Sequence, residues 1–364
     1  MIGNYQVRET GILGKVLLIT DKRELVYYRR GNIYLYNTTK KEKKCVRLPA
    51  KIWKKLCCKI RLLERMLHMD ARWAVQVGDD RILLQFDHKT LLIDIETSEI
   101  NMEKNLVKGN PLSVAVIKGN PGFTDGIIVG DYTRNLAREE VNLYRRDDDD
   151  KWCRVYQFPA GTVRHIHGCI SDPFRQCIYI LTGDENEESG IWRAVNNFDR
   201  VEPLLLGSQK YRACQMLVGK NTLYYFTDAP SEQNYMYEIK NNVVRKLHAI
   251  NGTCIYGVQF NKEGIYATTC EAEAHAANRF QYWFSNIPGR GICGRNVDVF
   301  VAGDDGQIQI LKHFEHDGLP LRLFQYGTVT FTNVVENCCY FTSMCVKGKD
   351  MHIYKIIKKD GKLK

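Results

Sequence analysis

Several features that would quickly assign this chain to a class are missing from its sequence. No apolar run approaches the length needed to cross a bilayer. The first residues lack the basic stretch and apolar core of a signal peptide. There is no Walker loop and no G-x-S-x-G nucleophile motif. We therefore expect a cytoplasmic protein that is neither a P-loop nucleotidase nor a serine hydrolase of the usual kind.

The cysteines also lack a recognisable pattern. The chain has 13 of them, an odd number, and they form no C-x-x-C pair, so neither a zinc motif nor a small disulfide scaffold is indicated. Cys177 and Cys254 lie inside apolar strands, where a free thiol behaves as a small hydrophobic side chain. These features indicate a reduced protein.

The formal net charge of +10 favours anionic partners such as acidic glycans, nucleic acid or a phospholipid surface. No nucleic-acid-binding module accompanies this charge, and most basic residues are spread along the chain. We therefore expect no nucleic-acid partner.

One basic, amphipathic helix is predicted over residues 48–69. Apolar residues recur there at helical spacing, with lysines and arginines on the other faces. The apolar positions are Ile52, Leu56, Ile60, Leu63 and Leu67. We expect this stripe to pack on the protein. Peripheral contact with a membrane surface is the alternative.

The rest of the chain repeats one pattern, an apolar strand that ends in an acidic residue. The acids are Asp87, Asp131, Asp184, Asp228 and Glu271, which lie 44, 53, 44 and 43 residues apart. A sixth segment, NCCYFTSM, keeps the strand and loses the acid. A further short strand precedes and another follows each segment. Three or four strands per unit of about 40–50 residues is typical of a β-propeller.

The sequence therefore predicts an all-β protein with a single propeller domain over residues 1–364. Counting residues 14–48 and 323–356 as terminal units predicts seven blades. Six is the alternative, if the two ends combine into one closing blade. The helix would be inserted between blades, and a basic tail would begin near residue 357.

The segment Gly161–Arg193 differs from its neighbours because it contains a His-x-His pair. Alternation along a strand places His165 and His167 on the same face. The other predicted inner strands have no such pair, so a functional surface is indicated. Structural histidines that only form hydrogen bonds are the alternative.

Three passages resemble bacterial sialidase-like propeller proteins of the BNR-repeat type, which are often associated with surface-polysaccharide gene clusters. They are VGDYTRN (129–135), HIHGCISDPF with IYILTGDENEESGIW (165–192), and YRACQML with YYFTDAPSEQN (211–234). RRDDDDKWCRVY (145–156) is similar to a degenerate Asp-box, with Asp147 and Trp152 at its Asp and Trp positions. The resemblance implies a propeller fold and a glycan-related function. Sialidases bind their carboxylate through an arginine triad, and a full catalytic set is not found here.

The repeat and the resemblance together predict a site at a central funnel. We expect catalytic roles for the two histidines and three of the repeated acids: His165, His167, Asp184, Asp228 and Glu271. Substrate-binding roles are expected for a second set: Arg134, Arg164, Arg212, Asp131 and Glu273. Acids that merely cap turns are the alternative for any single carboxylate.

Three kinds of chemistry suit these residues. Two carboxylates could hydrolyse a glycosidic bond. A histidine could abstract the proton beside a uronic-acid carboxylate in an elimination. His165, His167 and a carboxylate could also hold a divalent metal, although no cofactor is assigned from the sequence alone. We expect an enzyme acting on an anionic glycan. A non-catalytic scaffold or glycan-binding protein is the alternative.

Overall fold

The short apolar strands of the sequence pair into seven antiparallel sheets of four strands each in a computed structural model, which describes residues 2–103, 106–273 and 278–359. The strands up to residue 102 are β1 (Asn4–Leu13), β2 (Lys15–Ile19), β3 (Glu24–Arg29), β4 (Asn32–Asn37), β5 (Lys43–Arg47), β6 (Ala74–Val77), β7 (Arg81–Phe86), β8 (Lys89–Asp94) and β9 (Ile100–Met102).

The next strands are β10 (Ala115–Ile117), β11 (Gly126–Gly130), β12 (Val141–Arg146), β13 (Trp152–Phe158), β14 (His165–Asp172), β15 (Cys177–Gly183), β16 (Gly190–Val195), β17 (Arg200–Leu206), β18 (Ala213–Val218) and β19 (Leu223–Thr227). The last strands are β20 (Asn234–Lys240), β21 (Val243–Ile250), β22 (Thr253–Phe260), β23 (Glu263–Thr269), β24 (Asn296–Gly303), β25 (Ile308–Glu315), β26 (Thr328–Phe331), β27 (Cys338–Met344) and β28 (His352–Lys359).

Six sheets each use four strands that are consecutive in the chain, from β2–β5 through β22–β25. The seventh has the order β1-β28-β27-β26, so the first strand of the chain pairs with the last. Asn4 lies opposite Lys359 in that pair. This is a seven-bladed β-propeller, which confirms the predicted fold class. The chain ends do share a blade, but residues 15–47 form a separate blade, so the count is seven and not six.

The chain packs as two compact units. One comprises residues 72–229 and contains β6–β19. Its main core cluster is built from alternate residues of strands, with Ile128, Leu143 and Ile180 at its centre and Phe158 packed edge-on against Trp192. The second strand of a sheet is buried on both faces, as the fully buried run of β15 shows. Such continuous apolar runs explain why each repeat is easily seen in the sequence.

The other compact unit comprises the chain up to residue 71 and from residue 230 onward. Its largest core cluster includes Ile265, Val299, Phe341 and Ile356, all almost fully buried. Burial of such side chains contributes roughly 1.5–3 kcal/mol each. Pairing of β1 with β28 is therefore supported by a shared apolar core as well as by hydrogen bonds.

The predicted single helix over residues 48–69 is wrong in detail, since two short helices occupy the segment. They are α1 (Ile52–Cys57) and α2 (Arg61–Met66), and a third helix, α3 (Arg279–Phe284), was not expected. Short 3₁₀ turns span Asn186–Glu188 and Gln209–Tyr211. None of the helices in the described residues has the length and apolar character that a bilayer span requires.

The expected packing of the apolar stripe holds only for its second half, where Leu63 and Leu67 are partly buried. Ile52 is 80% exposed, and Leu56 and Ile60 are each 56% exposed. Within the two helices themselves, the buried residues are the polar Glu64 and Arg65 of α2. Glu64 accepts a hydrogen bond from Tyr28 at 2.7 Å, and the guanidinium of Arg65 pairs with Asp317. A hydrogen bond and an ion pair of these two buried residues hold α2 on the protein, beside the partly buried Leu63 and Leu67.

Two smaller expectations concern the chain end and the cysteines. Residues 357–359 belong to β28, so the predicted basic tail starts later, and residues 360–364 lie outside the described part of the chain. All thirteen cysteines are free thiols. Burial raises the pKa of the Cys169 thiol to about 12, which suits an inert core residue.

Candidate functional site

The two histidines lie at the start of β14, the first strand of its sheet. His165 is paired with Gly183, and the register shifts by one residue between Ile166 and Gly168. Such a bulge re-aims the side chain that it carries, here His167. The two ring centroids are 5.2 Å apart, and both rings are almost fully buried. The prediction that the rings share a face is confirmed, and the bulge brings them into contact.

Backbone carbonyls hold one nitrogen of each ring. The Nδ1 of His165 lies 2.9 Å from the carbonyl oxygen of Thr133, and the Nδ1 of His167 lies 3.1 Å from that of Ala213. A carbonyl can only accept, so each Nδ1 carries a proton. In the neutral rings, each Nε2 then presents a lone pair. The two Nε2 atoms are 3.2 Å apart.

Asp184 adds a carboxylate to this point. It follows β15 directly, and its two oxygens lie 3.5 Å from the Nε2 of His165 and 3.6 Å from that of His167. Burial alone would raise the pKa of Asp184. Contacts with the two imidazoles, which can donate to this carboxylate only when they carry a proton on Nε2, and the charge of Arg212 outweigh this effect and hold the pKa well below its usual range. Its side chain is 34% exposed, so solvent reaches the cluster through this residue.

Arg212 and Asp228 complete the charged groups. The guanidinium of Arg212 lies 3.1 Å from Asp184 and 3.4 Å from Asp228, so it binds both carboxylates. Asp228 follows β19, as Asp184 follows β15. Its Oδ1 is buried and accepts no hydrogen bond from the described residues. An unpaired buried carboxylate oxygen is costly unless water or a ligand satisfies it.

Two residues beside the histidines were not expected from the sequence. Cys214 sits at a bulge in β18, with its sulfur 3.4 Å from the Nδ1 of His167 and 3.3 Å from Asp228. The Tyr132 ring lies 4.4 Å from that of His165, centroid to centroid. Burial, and then the charge of Asp184, raise the pKa of Tyr132 well above its usual value. The only sequence signal for Tyr132 is its place one residue after a repeated acid.

We call His165, His167, Asp184, Arg212, Cys214 and Asp228 the imidazole–carboxylate cluster. All six residues belong to the compact unit of residues 72–229.

The first three of these residues suit a metal ion. The two Nε2 atoms are 3.2 Å apart, and the Asp184 carboxylate approaches that of His165 through Oδ2 at 3.5 Å and that of His167 through Oδ1 at 3.6 Å. Ligands of a tetrahedral zinc with bonds of about 2.0–2.1 Å lie about 3.3 Å apart. The Nδ1–H bonds to carbonyls are the outer-shell contacts that fix the tautomer of a metal-binding histidine. A second triple, His167, Cys214 and Asp228, suits a metal less well because the Nδ1 of His167 already bonds Ala213.

Three residues that were predicted to bind substrate lie in the same compact unit, but their side chains do not contact the imidazole–carboxylate cluster. The carboxylate of Asp131 accepts the backbone N–H groups of Lys108 at 2.6 Å and Asn142 at 2.9 Å, so it holds a turn. Arg164 pairs with Glu185 and Glu188. Arg134 is exposed. Asp131 thus follows its strand as predicted but serves the architecture.

Glu271 and Glu273 belong to the other compact unit. The carbonyl of Glu271 accepts a hydrogen bond from the Gly289 N–H at 2.9 Å. One oxygen of the Glu273 carboxylate accepts the Arg290 N–H at 3.2 Å. Their proposed part in catalysis or binding stays a prediction.

Comparison with known proteins extends the assignment of the fold. No known protein family and no curated protein matches this chain. Among solved structures it is similar to U3-55K, with 8% identity and a TM-score of 0.54 over 97% of this chain and 98% of that one. It is also similar to the Cps50 (Swd1) β-propeller domain of Myceliophteria thermophila, with 7% identity and a TM-score of 0.52 over 98% of this chain and 100% of that one.

A third similar structure is the extracellular domain of the one-component system BT4673 from B. thetaiotaomicron. Identity is 11% and the TM-score 0.50 over 96% of this chain, which spans only 39% of that longer one. At such low identity, these likenesses establish a seven-bladed propeller and nothing about activity.

Proposed function

We propose that this chain acts on an anionic glycan or sugar conjugate, and that a divalent cation held by His165, His167 and Asp184 binds the acidic group of that substrate. The observation that carries the proposal is the convergence of two Nε2 lone pairs and a carboxylate on one point.

The charge of the cluster supports the need for a cation. One guanidinium faces two carboxylates, so the cluster has a net negative charge whenever both imidazoles are neutral. A carboxylated sugar would be repelled from such a site. A divalent ion reverses the sign and leaves coordination positions for a carboxylate oxygen. Access through the partly exposed Asp184 fits a substrate that approaches from solvent.

Elimination suits this geometry better than hydrolysis. A hydrolase pair needs one carboxylic acid that protonates the leaving oxygen. Here both carboxylates bind the same guanidinium, Arg212, and the pKa of Asp184 is held well below its usual range, so Asp184 does not supply that proton. A bound cation would instead withdraw charge from the substrate carboxylate and make the adjacent C–H bond more acidic. We therefore propose cleavage beside a uronic-acid carboxylate, in which Oδ1 of Asp228 accepts the proton of that C–H bond and the glycosidic oxygen leaves with a proton from solvent.

We further propose kinship with sialidase-like propellers, on the basis of one hairpin. In the degenerate Asp-box, Asp147 directly follows β12 and Trp152 begins β13. Asp147 accepts the Lys151 N–H at 2.8 Å, which stabilises the turn, and the Trp152 indole donates to Glu103 at 2.6 Å. A cytoplasmic location is likewise proposed, since free cysteines persist in a reducing compartment.

The experiment has a binding step and a turnover step. Chelator-treated protein is titrated with Zn²⁺ and Mn²⁺ by calorimetry, and then incubated with acidic glycans whose unsaturated products are detected by mass spectrometry. His165→Ala and Asp184→Asn should weaken metal binding by more than the roughly 10- to 100-fold typical of lost outer-shell partners. His248→Ala is the matched control, since His248 bonds a carbonyl in the other compact unit.

The outcomes separate the alternatives. Metal binding with metal-dependent products supports the proposal in full. Metal and glycan binding without turnover would favour a glycan-binding protein. If the untreated and chelated proteins bind no divalent ion, the histidines are structural and the proposal fails.

A further inference from the structure

The two short helices α1 and α2 expose an apolar surface that the rest of the protein leaves uncovered. We call it the helical surface. Its apolar members range from 37% to 80% exposed, where a buried core position would be below a tenth. They are Ile52, Trp53, Leu56, Ile60, Leu62 and Met66. Contiguous exposed apolar residues of this kind mark a site of interaction.

Lysines are interleaved with these apolar residues. Lys51, Lys55 and Lys59 are exposed, and within the described part of the chain none of them has an acidic partner at ion-pairing distance. Lys54 lies over the ring of Trp53, 5.7 Å from its centroid. The helical surface is thus apolar and positively charged in the same few turns.

Helix α2 is firmly held by polar contacts, and Cys58, directly after α1, is buried. Arg61 makes two hydrogen bonds to Asp350, at 2.8 and 3.1 Å. Arg65 donates to the carbonyl of Phe324 at 2.6 Å and pairs with Asp317 at 2.5 Å. Polar anchors on one side leave the apolar side chains in solvent on the other.

A second exposed apolar element, α3, is held by the same stretch of chain. The Leu321 N–H bonds the carbonyl of Ser285 just after α3, and Arg322 stacks over Tyr282 at 4.2 Å. Phe280, Trp283 and Phe284 of α3 are 40–72% exposed. Residues 317–324 therefore support both helical elements within one compact unit.

We propose that the helical surface docks on an anionic phospholipid membrane. The reasoning is charge complementarity combined with composition. Protein interfaces are depleted in lysine at their centres, whereas helices that lie on membranes combine lysines with Trp, Phe and Leu. Trp53 and Trp283 are suited to the level of the lipid headgroups. The lysines would lie among anionic headgroups while Ile52, Leu56 and Ile60 enter the acyl boundary.

Flotation of the full chain with vesicles tests this proposal. One vesicle set contains equal parts of phosphatidylcholine and phosphatidylserine, and the other contains phosphatidylcholine alone. We expect the protein to float with the first set, to bind the second at least tenfold more weakly, and to be released by high salt.

Two sets of variants locate the contact. Replacing Lys51, Lys55 and Lys59 by Gln should weaken partition about a hundredfold, since each lysine near an anionic surface contributes several-fold. The matched control replaces three exposed lysines elsewhere, Lys220, Lys240 and Lys262. Trp53→Ala with Leu56→Ala should weaken binding at least tenfold. Its control is Ile310→Ala, which changes another half-exposed apolar residue.

Three results would overturn the proposal. They are equal binding to both vesicle sets, no binding to either, and unchanged binding by the lysine variants. Light scattering after gel filtration tests whether a second copy of the chain binds the helical surface instead of a membrane. A dimer abolished by Trp53→Ala with Leu56→Ala would assign the helical surface to a second copy of the chain and overturn the membrane proposal.

Discussion

Replacing Gly183 by alanine should disturb the geometry of the imidazole–carboxylate cluster. Gly183 ends β15, opposite His165. A Cβ atom at this position would lie 2.9 Å from Cγ of Arg212 and 3.0 Å from Cε1 of His167. Ordinary van der Waals contact begins near 3.4 Å. Gly183→Ala therefore forces a side chain into the space that two members of the cluster occupy.

The size of the effect follows from these distances. To restore ordinary contact, the His167 ring would have to move by about 0.4 Å, which is twice the tolerance of about 0.2 Å on metal–ligand distances. We expect divalent-metal affinity to fall about 10- to 100-fold, as it does when an outer-shell contact is lost. Overpacking should also lower the free energy of unfolding by about 1–3 kcal/mol.

Calorimetric titration with Zn²⁺ and thermal unfolding measure the two effects separately. Gly252→Ala is the control, because its Cβ would lie 2.7 Å from the carbonyl oxygen of Thr269 in the other compact unit. That variant should lose stability and keep its metal affinity. If Gly183→Ala loses stability but binds Zn²⁺ as tightly as the wild type, the spacing of the His167 ring does not determine metal binding.

Two further predictions concern stability. Asp131→Asn should lower the free energy of unfolding by about 1–3 kcal/mol, because an amide cannot accept from both backbone donors that the carboxylate binds, and metal titration should be unchanged. Burial alone would raise the pKa of Asp350, but the hydrogen bonds and charge of Arg61 hold it below its usual value. This pair therefore stabilises the fold above about pH 4, and the contribution is lost as the pH falls through the lowered pKa. Chemical denaturation across this range should show a smaller decline for Asp350→Asn than for the wild type; parallel curves would contradict this assignment.

The repeated strands were predictable because their signals are local. Alternating or continuous apolar runs and the turns between them specify short antiparallel strands without knowledge of distant residues. The acids after β11, β15 and β19 were located correctly for the same reason. The number of blades needed the structure, since nothing local shows that β1 pairs with β28.

The helical segment shows where local signals mislead. Its apolar spacing predicts one helix packed by its stripe, yet the structure has two, and their anchors are Glu64 and Arg65. The partners of these anchors, Tyr28 and Asp317, are distant in the chain. Tertiary polar contacts of α2 outweighed the local periodicity, and the first half of the stripe, Ile52, Leu56 and Ile60, was left exposed.

The sequence by itself determined that the chain is built from repeated units of three or four short strands, and that one unit carries a His-x-His pair followed by an acid at the end of the next strand. Only the tertiary structure decided which other groups meet that pair. Tyr132, Arg212 and Cys214 come from neighbouring sheets, and the carbonyls that orient the two rings come from Thr133 and Ala213. A strand is specified by the alternation of apolar and polar side chains over a few residues. The meeting of residues from different strands at one site depends instead on how whole sheets pack against one another, and no short stretch of the sequence records that packing.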